Sequence, residues 1–427
     1  MDYRTERALR ELGLTSFDDI FVEPPQEIRE RIGADTPSEP SSLLGALSAF
    51  GEDISFLGAG LYDYGGAHSL DEQVARMNFF HNEGAVADRS ASALEALARY
   101  QDAAARVSGM DVALASIYRD DSAVARACYL AALTTGRKLV VMSTTVSPES
   151  RRLVERYASA GLIELRVVGE RDGLTDLDEL ASLLKTPDVA DQVAATVTQY
   201  PNFYGNLERM NQVVALARSV GALAIALVEP CAASALKSPR HWGFDLVAWD
   251  ARRATSDERS SRAHLGFIAI TNDLLRALPT RFLTALEDEE GASVLRLTFS
   301  SDRVSASRDG VIPEDGYRAL LELARLAFVD ERDLALGSAL SRNLASYARE
   351  ELAKAGFDFH HAAPFWREFA VKVDDPVGMN AYLRRWGIVG GFELQDGLLL
   401  AFTEKRAREE IDELVYFMKE YQFGGAS

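Results

Sequence analysis

Between residues 138 and 270, short apolar runs rich in β-formers alternate with helical stretches, and this alternation restricts the possible folds more than any other feature of the chain. The runs cover residues 138–142, 163–168, 193–198, 222–228, 245–248 and 265–270. Strands that are apolar along their whole length, with helices between them, bury both faces. The pattern therefore predicts a mainly parallel sheet covered on two sides. Helices are predicted over 92–108 and 122–135, each stopped by a glycine, Gly109 and Gly136. Thr175-Asp176-Leu177-Asp178 reads as a capping box for a helix through Leu184, and Asn206 is placed to cap the helix that ends before Gly221.

The flanks differ in character. Residues 1–60 read as a helical arm, amphipathic over 5–12 and broken by Pro24-Pro25 and Pro37-Ser38-Glu39-Pro40. After an irregular stretch, 299–313, with an Asp309-Gly310 turn, long helices are predicted over 314–328 and 332–355. Strand-like 357–360 and 368–373, a helix over 377–386, an apolar run at 398–402 and a last helix over 406–421 complete an α+β unit. The expected organisation is an arm (1–60), a large α/β domain (61–312) and a small α+β domain (313–427). A chain of 427 residues that is 47% hydrophobic can fill such cores.

A formal charge of −19 argues against nucleic acid, whose phosphates demand clustered cations, and against an anionic membrane surface. Two cysteines, Cys128 and Cys231, cannot build a disulfide framework and read as buried core thiols in a reducing compartment. No run is long and apolar enough to span a membrane and the N-terminus has no apolar targeting segment, so a cytoplasmic protein is expected. The histidines, His68, His81, His241, His264, His360 and His361, lack metal-ligand spacing. The His360-His361 pair is expected to alternate across a strand.

Six strings carry a family resemblance: Phe56-Leu57-Gly58-Ala59-Gly60-Leu61-Tyr62-Asp63, Gly109-Met110-Asp111-Val112-Ala113, Gln199-Tyr200-Pro201-Asn202-Phe203-Tyr204-Gly205, Pro364-Phe365 with Glu368-Phe369, Gly387-Ile388-Val389-Gly390-Gly391, and Thr403-Glu404-Lys405-Arg406. In order and approximate spacing the chain resembles the subunit 1 family of glycine dehydrogenase (decarboxylating), the two-subunit P-protein of the glycine cleavage system. The resemblance implies a fold-type-I pyridoxal-phosphate (PLP) transferase architecture, aminotransferase-like. It also implies an α₂β₂-type assembly that decarboxylates glycine and passes the aminomethyl group to a lipoyl carrier, the H-protein, with the Schiff-base lysine on the homologous second subunit and subunit 1 contributing to the architecture of the active site.

A pyridoxal enzyme needs a lysine for the imine, a carboxylate facing the pyridine nitrogen, a stacking ring and an anion cup. No lysine occurs between Lys237 and Lys354, and the stretch after the 245–248 strand reads Trp249-Asp250-Ala251-Arg252-Arg253. Arg253 cannot form the imine, because its guanidinium stays protonated. Lys237 precedes that strand and reads as surface or structural.

The family's phosphate-cup pattern Asp-Gly-Ala-Thr-Ala is here Arg119-Asp120-Asp121-Ser122-Ala123. At about 4 Å, two like charges repel by roughly 4 kcal/mol at an effective dielectric of 20, so Asp120 and Asp121 disfavour a phosphate. Equally, they are good residues for a helix N-terminus. Ser147 stands where the family carries histidine, removing a candidate stacking ring. Glu229 stands where the family has aspartate. It reads either as the carboxylate facing a pyridine nitrogen or as an exposed strand-end residue.

The expectation is a chain that binds no PLP alone, with the cofactor on a lysine-bearing partner, in a dimer or heterotetramer. Tyr62, Asp63, Tyr64 and Asn202 are the candidates for a shared interface, with turn formation or packing as their other reading. A degenerate homologue serving as scaffold, regulator or partner in a specialised amino-acid pathway is the alternative, and a free-standing pyridoxal enzyme is a third.

Overall fold

The computed structural model describes residues 54–63, 91–114, 118–119, 122–250, 265–275, 277, 281–287, 293–299 and 331–424. Along the chain, a two-residue strand Ile54–Ser55 (β1) precedes a helix Ala91–Ser108 (α1), the short strands Val112–Ala113 (β2) and Tyr118–Arg119 (β3), and a helix Ser122–Thr135 (α2). Next come Leu139–Ser143 (β4), Pro148–Ser159 (α3), Glu164–Val168 (β5), a hairpin of Glu170–Arg171 (β6) and Leu174–Thr175 (β7), and Leu177–Leu184 (α4). Val193–Tyr200 (β8), Met210–Ser219 (α5), Leu223–Val228 (β9), Pro230–Ala235 (α6), Leu246–Asp250 (β10) and Leu265–Ile270 (β11) complete the unit.

The sheet runs β2-β11-β10-β9-β8-β4-β5, with β3 also paired to β11. From β10 to β5 the neighbours are parallel, and β11 is antiparallel to its neighbours. This is the mainly parallel sheet that the apolar runs predict. Its two faces are read directly from the alternation of side chains. Leu139, Val141, Ala224, Ala226, Val228, Val247 and Phe267 pack on one side with Val107, Leu180, Val213 and Ala217 from α1, α4 and α5. Val140, Met142, Ile225, Leu227, Ala248 and Ile268 pack on the other with Val124, Cys128 and Leu130 of α2 and Val154 of α3.

Between β4 and β8 the connectivity reverses: the chain leaves β4 for β5 on one side and returns to β8 on the other. In open α/β sheets a crevice forms at the carboxyl ends of the strands at such a switch.

A second unit is built from a 25-residue helix Glu331–Ala355 (α7), Glu368–Lys372 (β14), Pro376–Arg384 (α8), Ile388–Val389 (β15), Phe392–Leu394 (β16), Gly397–Ala401 (β17) and Arg408–Phe423 (α9). A separate antiparallel pair, Arg281–Glu287 (β12) and Ser293–Phe299 (β13), lies between the two units in sequence. Strands β14, β17 and β16 form an antiparallel sheet, and Phe369, Val371, Leu398 and Leu400 pack from it against Leu352, Met379, Leu414 and Met418. The early segment joins this unit: β1 pairs in parallel with β15, Leu57 bridges Leu400, and Phe56 is completely buried among the same side chains.

Several local expectations are corrected. Thr175 belongs to β7, and the residue capping α4 is Asp176, whose carboxylate accepts from the amides of Asp178 (3.0 Å) and Glu179 (3.1 Å). Asn206 does not cap α5; its amide donates to the Gly173 carbonyl at 3.0 Å. His360 and His361 lie in no strand and are both half-buried, since the 357–360 segment makes only an isolated Phe359–Val371 bridge. The predicted helix over 314–328, the early helix over 5–12 and the Asp309-Gly310 turn lie outside the described residues. Among those residues no helix is long and apolar enough to cross a membrane.

Candidate functional site

The carboxyl ends of β4, β8 and β9 bring the candidate residues to one region. After β4 the chain turns through Thr144–Val146 into α3, and Ser147 closes that turn. The Ser147 hydroxyl accepts from the Ser150 amide at 3.2 Å, capping α3, while its own backbone amide donates to the Gln199 side-chain Oε1 at 2.8 Å. Ser147 is thus a buried capping residue, held by the last turn of β8. Ser122 is the first residue of α2. Asp120, Asp121, Tyr64 and Arg253 lie outside the described residues.

Beyond β8, Asn202 organises the loop. Its side-chain amide donates to the Gly173 carbonyl (2.7 Å) and to Glu208 (2.9 Å), and its oxygen accepts from the amides of Tyr204 (3.0 Å) and Asn206 (3.1 Å). The residue is fully buried, so its part in any shared site is indirect, through the loop it holds. Glu208, which the sequence reading did not single out, is a buried carboxylate. It accepts from the Thr145 hydroxyl (2.8 Å), the Thr175 amide (3.1 Å) and Asn202. Burial raises its carboxyl above the ordinary value, against the lowering effect of those donors. Gly205 follows at φ +79°, and a side chain there would collide with the backbone of Glu368, so only glycine lets this loop touch β14.

That contact leads to the strongest electrostatic feature. Glu229, at the end of β9, is 2% exposed, which excludes the exposed strand-end reading. Its carboxylate accepts from the Ala232 amide at 2.7 Å, capping α6, and forms an ion pair with Arg367, itself 2% exposed. The Tyr62 ring lies 5.0 Å from the Arg367 guanidinium carbon, and the Tyr62 hydroxyl donates to Glu368. Glu368 also accepts from the Ala59 amide at 3.0 Å. Tyr62, Pro201, Gly205, Glu229, Trp366, Arg367 and Glu368 line one narrow cleft. One residue on, Asp63 pairs with Lys405 (2.8 Å) and Arg406 (3.0 Å), and its carbonyl accepts from the Thr403 hydroxyl at 2.6 Å.

The structure therefore brings Tyr62, Glu229 and Arg367 together, and places Asp63 beside them on a loop clamped from the C-terminal unit. Arg367 was legible in principle. It stands with Glu368 between Phe365-Trp366 and Phe369-Ala370-Val371, and a cation buried in such a setting requires a partner. Lys237 is structural: its ammonium lies 3.2 Å from His241 and 5.5 Å from the centre of the Trp242 ring. Among the described residues no cluster of three or more His, Cys, Asp or Glu could hold a metal ion.

Comparison with known proteins agrees along the whole chain. A probable glycine dehydrogenase (decarboxylating) subunit 1 of Geobacillus thermodenitrificans is 30% identical over 96% of this chain and 95% of that protein. The crystal structure of an inhibitor-bound glycine decarboxylase (P-protein) of the glycine cleavage system superimposes with a TM-score of 0.77 at 26% identity, covering 98% of this chain and all of that one. An alanine–glyoxylate aminotransferase from Nostoc sp. shares the fold alone, at 16% identity and a TM-score of 0.58 over 92% of this chain and 98% of the other. The fold is that of the fold-type-I transferases, as the resemblance implied. The family profile of the glycine cleavage system P-protein matches residues 2–418. The chain belongs to the glycine cleavage system P-protein family, as a relative of glycine dehydrogenase subunit 1.

Proposed function

We propose that this chain is the subunit without a Schiff-base lysine in a two-subunit glycine-decarboxylating assembly, and that PLP is held by a homologous second subunit. The observation that carries the reading is the engagement of Glu229. The carboxylate at the end of β9, where a pyridine nitrogen would have to be faced, is already paired with the buried Arg367 and caps α6. Ser147, where a stacking ring would stand, is committed to capping α3. The sequence offers no lysine from residue 238 to 353. These residues do not fit the cofactor.

What the chain supplies is a rigid wall. The 56–63 loop is fixed by Glu368, Lys405 and Arg406. Tyr62, Asp63 and Tyr64 are the residues proposed to border a site completed by the lysine-bearing subunit, in a hetero-oligomer that hands its one-carbon unit to a lipoyl carrier. The full-length similarity to proteins named subunit 1 favours this over a scaffold of a different pathway. A cytoplasmic setting suits the thiol of Cys128, which burial pushes up to about 12 and so keeps unreactive.

The test is co-purification with a homologous chain that carries the lysine. Light scattering of the mixture is expected to give a complex, and glycine decarboxylation with a lipoyl carrier is expected from the mixture only. No complex, or an aldimine absorption band formed by this chain alone with PLP, overturns the proposal.

A further inference from the structure

We infer that the hollow between α9 and the turn after α8 is a docking site for an arginine side chain presented by a partner polypeptide. This goes beyond the subunit reading, since the hollow is formed by none of the residues assigned to the shared site and involves no cofactor.

Two elements build the hollow. On α9, Asp412 and Tyr416 stand four residues apart, as do Glu413 and Phe417, so the two pairs share one side of the helix. Trp386 supplies the other wall. Its backbone amide donates to the Leu383 carbonyl at 2.9 Å, and Gly387 follows at φ +71°, turning the chain into β15. The Trp386 and Phe417 rings stack with centres 4.5 Å apart and planes 17° from parallel, and Tyr416 meets Phe417 edge-on at 5.2 Å. These five residues line a space of about 480 Å³, and none of them is a cation.

Ring faces beside carboxylates recognise a cation. Asp412 is partly engaged, accepting from the Tyr347 hydroxyl at 2.6 Å, and Arg408 lies over the Tyr347 ring at 4.8 Å. Glu413 has no ion-pair partner among the described residues. A guanidinium suits the hollow better than an ammonium, because it is planar, stacks on a ring and sheds its hydration more readily. Exposure decides how that cation is delivered. Trp386 is 54% and Tyr416 62% exposed. A site for a free small molecule buries about 70–90% of its ligand, which rings this open do not achieve. An arginine on a protein surface brings neighbours that cover the rings and exclude water, and Trp, Tyr and Arg are the residues in which interface energy concentrates. The formal charge of −19 favours the approach of a basic surface.

The experiment observes Trp386 directly. The chain has four tryptophans, so fluorine NMR of the full chain labelled with fluorotryptophan assigns to Trp386 the signal that Trp386→Phe removes. The probe is the blocked peptide Gly-Gly-Arg-Gly-Gly, with its lysine counterpart and sodium chloride at equal ionic strength as references. The arginine peptide is expected to shift the Trp386 signal saturably and to leave the other three in place, with a weaker response to the lysine peptide. Glu413→Gln and Tyr416→Leu should each raise the apparent Kd about two- to fivefold, the size expected for an exposed ion pair or ring contact. Both positions are exposed, and an unchanged Tm confirms that each variant keeps the fold. No shift beyond the chloride reference, an equal response to the lysine peptide, or an unchanged Kd in Glu413→Gln overturns the inference. A shift produced by N-acetyl-arginine amide but not by the peptide overturns the polypeptide as the source. None of these readouts depends on a second subunit, so failure here is separable from failure of the proposed assembly.

Discussion

Glu208 is a carboxylate surrounded by neutral donors, the amide of Asn202, the hydroxyl of Thr145 and the backbone amide of Thr175. Truncation to alanine strands those donors, at about 1–3 kcal/mol for each that finds no partner, whereas glutamine keeps an acceptor in place. Chemical denaturation is therefore expected to rank parent and Glu208→Gln well above Glu208→Ala. The pH dependence follows from the raised carboxyl value. A carboxyl that binds its proton more tightly in the folded state stabilises the fold below its unfolded value, and that contribution is lost as pH rises through its folded value. The stability of the parent relative to Glu208→Gln should fall as pH rises above the ordinary carboxyl value of 4.5, and an unchanged difference would count against the raised value. Nothing in the sequence marks Glu208, because its donors come from three separate segments. Arg367 is different: with Glu368 it interrupts an apolar string, and a charge buried there announces a partner, although not which one.

At the scale of elements, two loops are open to direct test. Ser147→Ala removes the cap of α3 and is expected to cost about 1 kcal/mol in equilibrium unfolding. Gly205→Ala places a side chain at positive φ against the Glu368 backbone. It should cost about 1–3 kcal/mol from backbone conformation alone, with the collision added, measured as a loss of stability in urea. The regular elements were readable because strands buried on two faces leave a continuous apolar run, and most ends fall within a few residues of expectation. The caps were not. Thr175 is claimed by the β6–β7 hairpin and Asn206 by the Gly173 carbonyl, competitions that only the tertiary structure decides. The two- and three-residue strands β1, β15 and β16 are too short to carry any periodicity. In the site, Glu229 was placed correctly at a strand end, but its partner lies in another unit of the fold and leaves no local signal.

For the whole molecule, the join between its two ends is the property most open to perturbation. Phe56 packs against Phe402 within the C-terminal core, ring centres 5.4 Å apart and planes tilted by 55°, and its truncation to alanine is expected to cost about 3–5 kcal/mol. Because Phe56 lies six residues before Tyr62, the loss should be accompanied by weakened seating of the 58–63 loop, visible as faster amide exchange at Ala59. If exchange there is unchanged while stability falls, the loop is held by Glu368 alone. The same join sets a constraint on biosynthesis. Ile54 pairs with Ile388, so more than three hundred residues must leave the ribosome before that edge finds its neighbour. At about 5–20 residues per second this takes roughly 15–70 s, during which the parallel-sheet unit can consolidate while Phe56 has no core to enter. The C-terminal unit thus completes an edge laid down far upstream, and a nascent chain cut short before residue 388 leaves Ile54 and Phe56 without the neighbours that cover them.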